Sequence, residues 1–280
     1  MKKLFSIVLV CFFSAYLLSA CIPPCLLSAC IPPPPPPPPA DPKQQALVIG
    51  NAEYKENELT NPVNDAKDMA KSLTKQGVNV VLHTNFDRKK MEDAIREFKN
   101  RLFAHEKSVG LFYFSGHGAQ VDGKNYLIPI NNDEIKSDDD VPWKAVQVEK
   151  VLAQMQGTNN GLNIIILDAC RNKPYELYNI IQLSSKNSYR KDGLGLAPIT
   201  PPEGVIIGYA TAPGRTASDF SEGERNSLYT KYLLKAIESK KRIDDMFMQV
   251  RNDVLEESNG KQEPWTTISM NRPFCFGGCP

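Results

Sequence analysis

The sequence predicts an α/β fold in which a mostly parallel sheet of about six strands is flanked by helices. Three observations carry this expectation. From Ala46 onward, short apolar runs alternate with segments of helical periodicity, the pattern of parallel strands joined by helical crossovers. The run Leu162–Leu167 is the most apolar of them, as a central strand buried on both faces requires. Turn and cap residues such as Asn61-Pro62, Gly77 and Asp122-Gly123 fall between the runs, where a chain reversal or helix start needs them.

Taken in order, Ala46–Gly50 reads as the first strand. Asn61 is placed as an N-cap with Pro62 at the first helical position, and Val63, Ala66, Met69, Ala70 and Leu73 follow at helical spacing. Asn79–His83 is the second strand. Asp87 caps a second helix with the apolar face Met91, Ala94, Ile95, Phe98 and Leu102. Val109–Phe114 is the third strand, and Tyr126–Pro129, after Asp122-Gly123, is a hairpin return. Val146–Met155 is helical, and Leu162–Leu167 forms the central strand. A polar loop from Arg171 to Glu203 leads to the strand Val205–Tyr209. Two helices, Leu228–Ile237 and Ile243–Leu255, precede a short edge strand after Trp265.

The chain has 280 residues, 33 Lys+Arg against 32 Asp+Glu, and 41% hydrophobic content. A near-neutral balance supplies no field for gathering nucleic acid, so no nucleic-acid partner is expected. Seven cysteines in this length do not make a disulfide scaffold, and the core is large enough to need none.

The first 40 residues read separately from the rest. Lys2 and Lys3 precede the apolar run Leu4–Ala20, which ends in Leu18-Ser19-Ala20-Cys21. This is the layout of a signal peptide over residues 1–20, and its end resembles a bacterial lipobox, with Cys21 as the lipidated residue. The alternative, an uncleaved anchor, is at the short limit for a membrane span. A second copy of the box ends at Cys30, but only the first follows the apolar run directly. Eight consecutive prolines, Pro32–Pro39, form a polyproline stalk of roughly 25 Å. Residues 21–45 are therefore expected to be a lipidated N-terminus and spacer, 46–274 the folded domain, and 275–280 a short Cys-containing tail. This implies a bacterial cell-envelope location, and Ile22, in place of an aspartate, points to the outer membrane.

Chemistry in such a sheet is expected where strands end at the carboxyl edge. The third strand runs into Ser115-Gly116-His117-Gly118 and the central strand into Asp168-Ala169-Cys170-Arg171. A thiol is little ionised near neutral pH, and an adjacent imidazole can take its proton and later protonate a leaving amine. His117 and Cys170 are thus the candidate catalytic pair. Glycines flanking His117 let a substrate backbone approach, and the Gly118 N–H is a candidate oxyanion donor. His83 and His105 have no comparable setting. Cys275 and Cys279 admit either half of a metal site or a small disulfide; without other ligands nearby, the disulfide is preferred.

These motifs resemble those of the caspase-like peptidases, including metacaspases and bacterial orthocaspases. Further similar features are the opening strand Ala46–Asn51, Asn64-Asp65-Ala66, Tyr209-Ala210-Thr211-Ala212 and Gln262-Glu263-Pro264-Trp265. The resemblance spans Ala46 to Ile268 in order. It implies a three-layer α/β/α sandwich of caspase/hemoglobinase type, His117 as base and acid, Cys170 as nucleophile, and an oxyanion hole from the Gly118 and Cys170 N–H groups.

Strand periodicity places Asp168 on the face of Cys170 and Ser115 on that of His117. By the metacaspase resemblance, Asp65, Ser115 and Asp168 line a pocket selecting Arg or Lys before the scissile bond, while the alternative for Asp168 is an ion pair with Arg171 or Arg215, or a hydrogen-bonded strand-end carboxylate. Caspases that cut after Asp carry Gln where Asp168 stands. Metacaspases often need calcium, and Asp138-Asp139-Asp140 is the candidate cluster, but three adjacent acids do not all face one ion and a solvated loop is the better reading. No nucleotide, haem or zinc signature is present, so no cofactor is expected. The expected function is a lipid-anchored cysteine endopeptidase acting on peptides or proteins after Arg or Lys. The alternatives are a catalytically silent peptide-binding module, or another acyl transfer run by the same dyad. By the same resemblance the Arg171–Glu203 loop is an expected site of self-cleavage, near Lys186 to Lys191, whose basic residues fit the expected pocket.

Overall fold

In the computed structural model, the residues described are 41–158, 160–170, 196–213 and 223–279. The leader, Cys21, the proline run and most of the loop after Cys170 lie outside them. The strands are β1 (Asp41–Gly50), β2 (Val78–Thr84), β3 (Val109–Val121), β4 (Lys124–Leu127), β5 (Val146–Gln147), β6 (Leu162–Cys170), β7 (Val205–Tyr209) and β8 (Trp265–Ser269). The helices are α1 (Pro62–Lys75), α2 (Arg88–Phe103), α3 (Val141–Lys144), α4 (Val148–Gln156), α5 (Leu228–Ile237) and α6 (Ile243–Glu257).

The main sheet has the order β2-β1-β3-β6-β7-β8. Its pairings are parallel except that of β8 on β7. The two-residue period of each strand divides the core in two. Ala46, Val48, Leu111, Tyr113, Ile164 and Ile166 face α1, α5 and α6. Leu47, Ile49, Phe112, Phe114, Ile165 and Leu167 face α2 and α4. The expected three-layer sandwich with β6 at its centre is present, and Ile164 through Leu167 are fully buried.

Three local expectations are corrected. First, β3 does not stop at Phe114. Ser115–His117 continue the ladder on β6, and Gly118–Val121 pair antiparallel with Lys124–Leu127. The hairpin turn has Asp122 at φ 50° and Gly123 at φ 72°, the left-handed pair that a two-residue connection demands. Second, Val146 and Gln147 belong to β5, because the free edge of β4 claims them, so α4 starts at Val148. Third, Asn61 precedes α1 but makes no side-chain cap, since its backbone is already helical at φ −91°, ψ −29°. Asp87 does cap α2, accepting the Lys90 N–H at 2.9 Å.

At the C-terminus Cys275 and Cys279 are joined by a disulfide. Gly277 and Gly278 supply the left-handed backbone, at φ 71° and 90°, that so short a loop needs. Cys275 bridges to Arg242 just before α6, and Phe276 is buried with the α1, α5 and α6 core.

The amino end of α1 sits directly on the end of β1. A Cβ at Gly50 would stand 2.2 Å from the Pro62 carbonyl oxygen and 2.6 Å from the Ala66 Cβ. Backbone cannot yield there as a flexible side chain would, so Gly50→Ala is expected to cost about 2 to 3 kcal/mol in unfolding free energy. Urea denaturation measures it, and an unchanged midpoint would show that α1 is not docked this closely.

Candidate active site

The two motifs meet on one ladder. In the parallel register of β3 on β6, Ser115 stands opposite Asp168, Gly116 opposite Ala169 and His117 opposite Cys170. Adjacent strands lie about 4.8 Å apart, so segments 53 residues distant in sequence become neighbours at the carboxyl edge of the sheet. Both motifs occupy the last rungs of the ladder between β3 and β6, which fixes their backbone more firmly than the expected loops would.

His117 is 4% exposed and is gripped by the segment following β1. Its backbone N–H donates to the Tyr54 hydroxyl at 2.8 Å, and that hydroxyl donates to the Ile128 carbonyl at 3.2 Å. The Tyr54 ring lies against the imidazole, 4.4 Å between centroids. The imidazole Nε2 is 2.6 Å from the Asn57 carbonyl oxygen. A carbonyl only accepts, so Nε2 carries the hydrogen and Nδ1 holds the basic lone pair. Gly116 is required between the strands: at φ 155° its Cβ would stand 2.4 Å from the Tyr54 hydroxyl oxygen.

Gly118 is opposite Leu127 on β4. The Ile128 N–H donates to the His117 carbonyl at 3.0 Å, which makes Gly118–Leu127 the rung without mutual hydrogen bonds. The Gly118 N–H is therefore not spent on β4. After β7, Gln262 Nε2 donates to the Ala210 carbonyl at 3.1 Å and the Ala212 N–H to the Glu263 carbonyl at 2.6 Å, so the Tyr209–Ala212 and Gln262–Trp265 motifs brace each other.

Asp65, Ser115 and Asp168 converge beside this ladder. Asp65 is fully buried and Asp168 is 8% exposed. Ser115 Oγ donates to Asp65 Oδ2 at 3.1 Å, while Asn226 Nδ2 and the Ser227 N–H donate to Oδ1 at 3.1 and 3.0 Å. Asp168 Oδ2 accepts Thr230 Oγ1 at 2.6 Å and a short bond from Ser227 Oγ. Since Thr230 gives its hydrogen to Asp168, Tyr113 must donate to Thr230, across 2.6 Å. Sequence reasoning missed Asn226, Ser227, Thr230 and Tyr113. Ser227 is recognisable as the N-cap of α5, accepting the Thr230 N–H at 3.1 Å, but nothing local ties it to an acid on α1.

Among the described residues, no lysine or arginine is in ion-pair contact with either acid. Arg225 goes instead to Asp68, at 2.7 and 3.0 Å. Arg171 and Arg215 lie outside the described residues. Burial, and then the neighbouring Asp168 charge, push the Asp65 carboxyl up to about 8, while the Ser227, Asn226 and Ser115 donors pull it back. Burial also raises Asp168 against the Ser227 and Thr230 bonds. The pair therefore resists carrying two charges together.

The remaining sequence candidates are elsewhere. His83 stacks on Phe86 with centroids 4.4 Å apart. Asp138–Asp140 form a single 3-10 turn in which Asp140 Oδ2 accepts the Lys136 and Ser137 N–H groups and Oδ1 pairs with Lys144. Among the described residues no group of three or more His, Cys, Asp or Glu side chains is arranged to hold a metal.

The buried acid gives a signed pH dependence. Asp65 ionises near 3.8 when unperturbed and at about 8 in the folded protein. Between these values the folded state keeps a proton that the unfolded chain has released, so stability falls as pH rises, by up to about 1.4 kcal/mol per pH unit. Asp65→Asn is expected to flatten this slope. Denaturation midpoints across the interval measure it, and parallel curves for wild type and variant would count against the raised ionisation.

Residues 43–275 match the family model for the caspase domain. The chain is 27% identical over 225 residues to the human "Mucosa-associated lymphoid tissue lymphoma translocation protein 1", covering 78% of this chain and 24% of that protein. It is also 27% identical over 215 residues to the mouse homolog, covering 75% and 23%. The chain thus spans about a quarter of the length of these curated relatives. With its sheet order, its paired strand-end motifs and a family match over nearly all the described residues, the chain belongs to the caspase domain family.

Proposed function

We propose that this chain is a cysteine endopeptidase that hydrolyses the peptide bond after Arg or Lys. The observation that carries the reading is the β3–β6 register, which sets His117 opposite Cys170 two rungs beyond Ser115 and Asp168. In the proposed cycle His117 Nδ1 takes the Cys170 thiol proton, and the thiolate attacks the scissile carbonyl carbon. The negative oxygen of the tetrahedral intermediate is held by the Gly118 and Cys170 backbone N–H groups. The imidazolium then gives its proton to the leaving amine, and the C–N bond breaks to leave a thioester. A water molecule, deprotonated by His117, attacks that thioester and restores the thiol, releasing the carboxylate product. The Asn57 carbonyl holds the Nε2–H throughout, so proton traffic is confined to Nδ1.

The pocket of this reading is Asp65, Ser115 and Asp168. Two carboxylates buried with hydroxyl and amide donors are poised for a cation that arrives with the substrate, and a guanidinium or ammonium entering there completes the charge balance. Lipid attachment at Cys21, with the proline run as spacer, would hold the domain off a bacterial membrane, the outer membrane by the Ile22 argument.

Cys170→Ala and His117→Ala are each expected to abolish turnover of an Arg peptide, with the double variant no worse than either single one. A peptidyl probe carrying Arg and a thiol-reactive group should label wild type and not Cys170→Ala. A chain that binds the peptide without labelling would be the silent binding module. Asp65→Asn and Asp168→Asn are expected to lose about 100-fold in kcat/KM on Arg and Lys substrates, with a much smaller change in alkylation of Cys170 by iodoacetamide. A wild-type preference for Asp before the cut would refute the acidic pocket. Mass spectrometry of the mature N-terminus tests the anchor: a lipid-modified Cys21 is expected, and an intact Met1 or an unmodified secreted form would remove it.

A further inference from the structure

The grip on His117 depends on a residue far from the dyad motifs. After β1 the chain runs alongside the segment that leaves β4, and three contacts lace the two together. The Tyr54 hydroxyl reaches the Ile128 carbonyl at 3.2 Å, and the Lys55 N–H reaches the Ile130 carbonyl at 3.0 Å. The third contact is made by a side chain. Asn132 Oδ1 accepts the Glu56 N–H at 3.0 Å, and Asn132 Nδ2 donates to the Glu56 carbonyl at 2.7 Å. One amide thus satisfies both backbone groups of Glu56, as a neighbouring strand would. It does so from a position 2% exposed, where replacement by water is restricted and loss of a partner is costly.

The residue after this clamp is Asn57, whose carbonyl receives the His117 Nε2–H at 2.6 Å. Asn57 has φ 59°, in the left-handed region that Asn adopts more readily than other residues with a Cβ. Loss of the Asn132 bonds loosens Glu56 directly before Asn57, and a shift of the Asn57 carbonyl weakens its bond to Nε2. The neutral imidazole has two tautomers of similar intrinsic energy, and the bond made by one nitrogen selects the state of the other. We infer that Asn132 is a positioning residue for His117: by clamping Glu56 it holds the Asn57 carbonyl where it fixes the imidazole with the hydrogen on Nε2 and the base at Nδ1. This rests on the reading of His117 as the general base.

The test uses the full chain with 15N-labelled histidine. Only three histidines are present, so the His117 signals are assigned by comparison with His117→Ala. In wild type, at a pH where the ring is neutral, the Nε2–H tautomer is expected to dominate. Asn132→Ala should give a mixture of tautomers and lower kcat on an Arg peptide by about 10- to 100-fold, with KM within about twofold, as expected for a misplaced catalytic group. Asn132→Asp keeps the shape and the acceptor but loses the Nδ2–H donor. It should show the same two effects if the alanine protein melts too early to assay. A purely structural role would lower the melting temperature and leave the tautomer and kcat at wild-type values, and that result in either folded variant overturns the inference. So would a fall in kcat with the tautomer unchanged. If wild type cleaves no Arg peptide, the proposed activity fails, and the tautomer comparison still decides whether Asn132 orients His117.

Discussion

Everything at the site depends on the register of β3 against β6. The ladder runs from Val109 opposite Leu162 to His117 opposite Cys170 without a break, and the core enforces it. Leu111 and Tyr113 pack towards α1, α5 and α6, whereas Phe112 and Phe114 pack towards α2 and α4. A slip of one residue would turn each of these side chains to the opposite layer and move His117 off the rung of Cys170. Burial of each such side chain contributes about 1.5 to 3 kcal/mol, so the energy that fixes the pairing comes from packing several rungs below the chemistry. The rung alignment of His117 with Cys170 is inherited from the core, whereas the imidazole is oriented separately.

The acid pair shows the opposite economy. Two carboxylates have been taken from water without a cation among the described residues, and burial raises both. The cost is offset by a set of neutral donors concentrated where α5 begins. Ser227 is central to it, because one residue caps the helix through its Oγ acceptor, gives that hydroxyl's hydrogen to Asp168 and gives its N–H to Asp65. Asp65 itself sits in the first turn of α1, where the helix's unpaired N–H groups favour negative charge. Neutral donors hold a carboxylate in place without neutralising it. That is a poor arrangement for stability and a suitable one for receiving a cation.

Between these two lies the segment from Tyr54 to Asn57. It belongs to neither strand motif, yet it meets His117 through a hydroxyl, a ring and a carbonyl. Its conformation is held from outside, by Ile128, Ile130 and Asn132. The hairpin of β3 and β4 therefore has a structural purpose, since the segment that leaves β4 is the surface on which Tyr54–Asn57 is laced.

The sequence by itself determined the layers, the central place of β6 and the position of His117, Ser115 and Asp168 towards the carboxyl edge of the sheet, because strand and helix periodicities are local and the core is apolar wherever they predict burial. It misjudged boundaries where a distant partner intervened: β3 is longer because β6 and β4 offer rungs beyond Phe114, α4 is shorter because β4 takes Val146 and Gln147, and Asn61 does not cap because its backbone is already helical. Only the tertiary structure decided which residues serve the candidate site from elsewhere. Ser227 lies 162 residues from Asp65 and Asn132 lies 76 from Glu56, and no periodicity or motif links such pairs. Each of these side chains is an ordinary cap, turn or loop residue in its own segment. It acquires a role when chain closure brings an unsatisfied carboxylate, carbonyl or N–H within hydrogen-bond reach, and burial then makes that partner costly to lose.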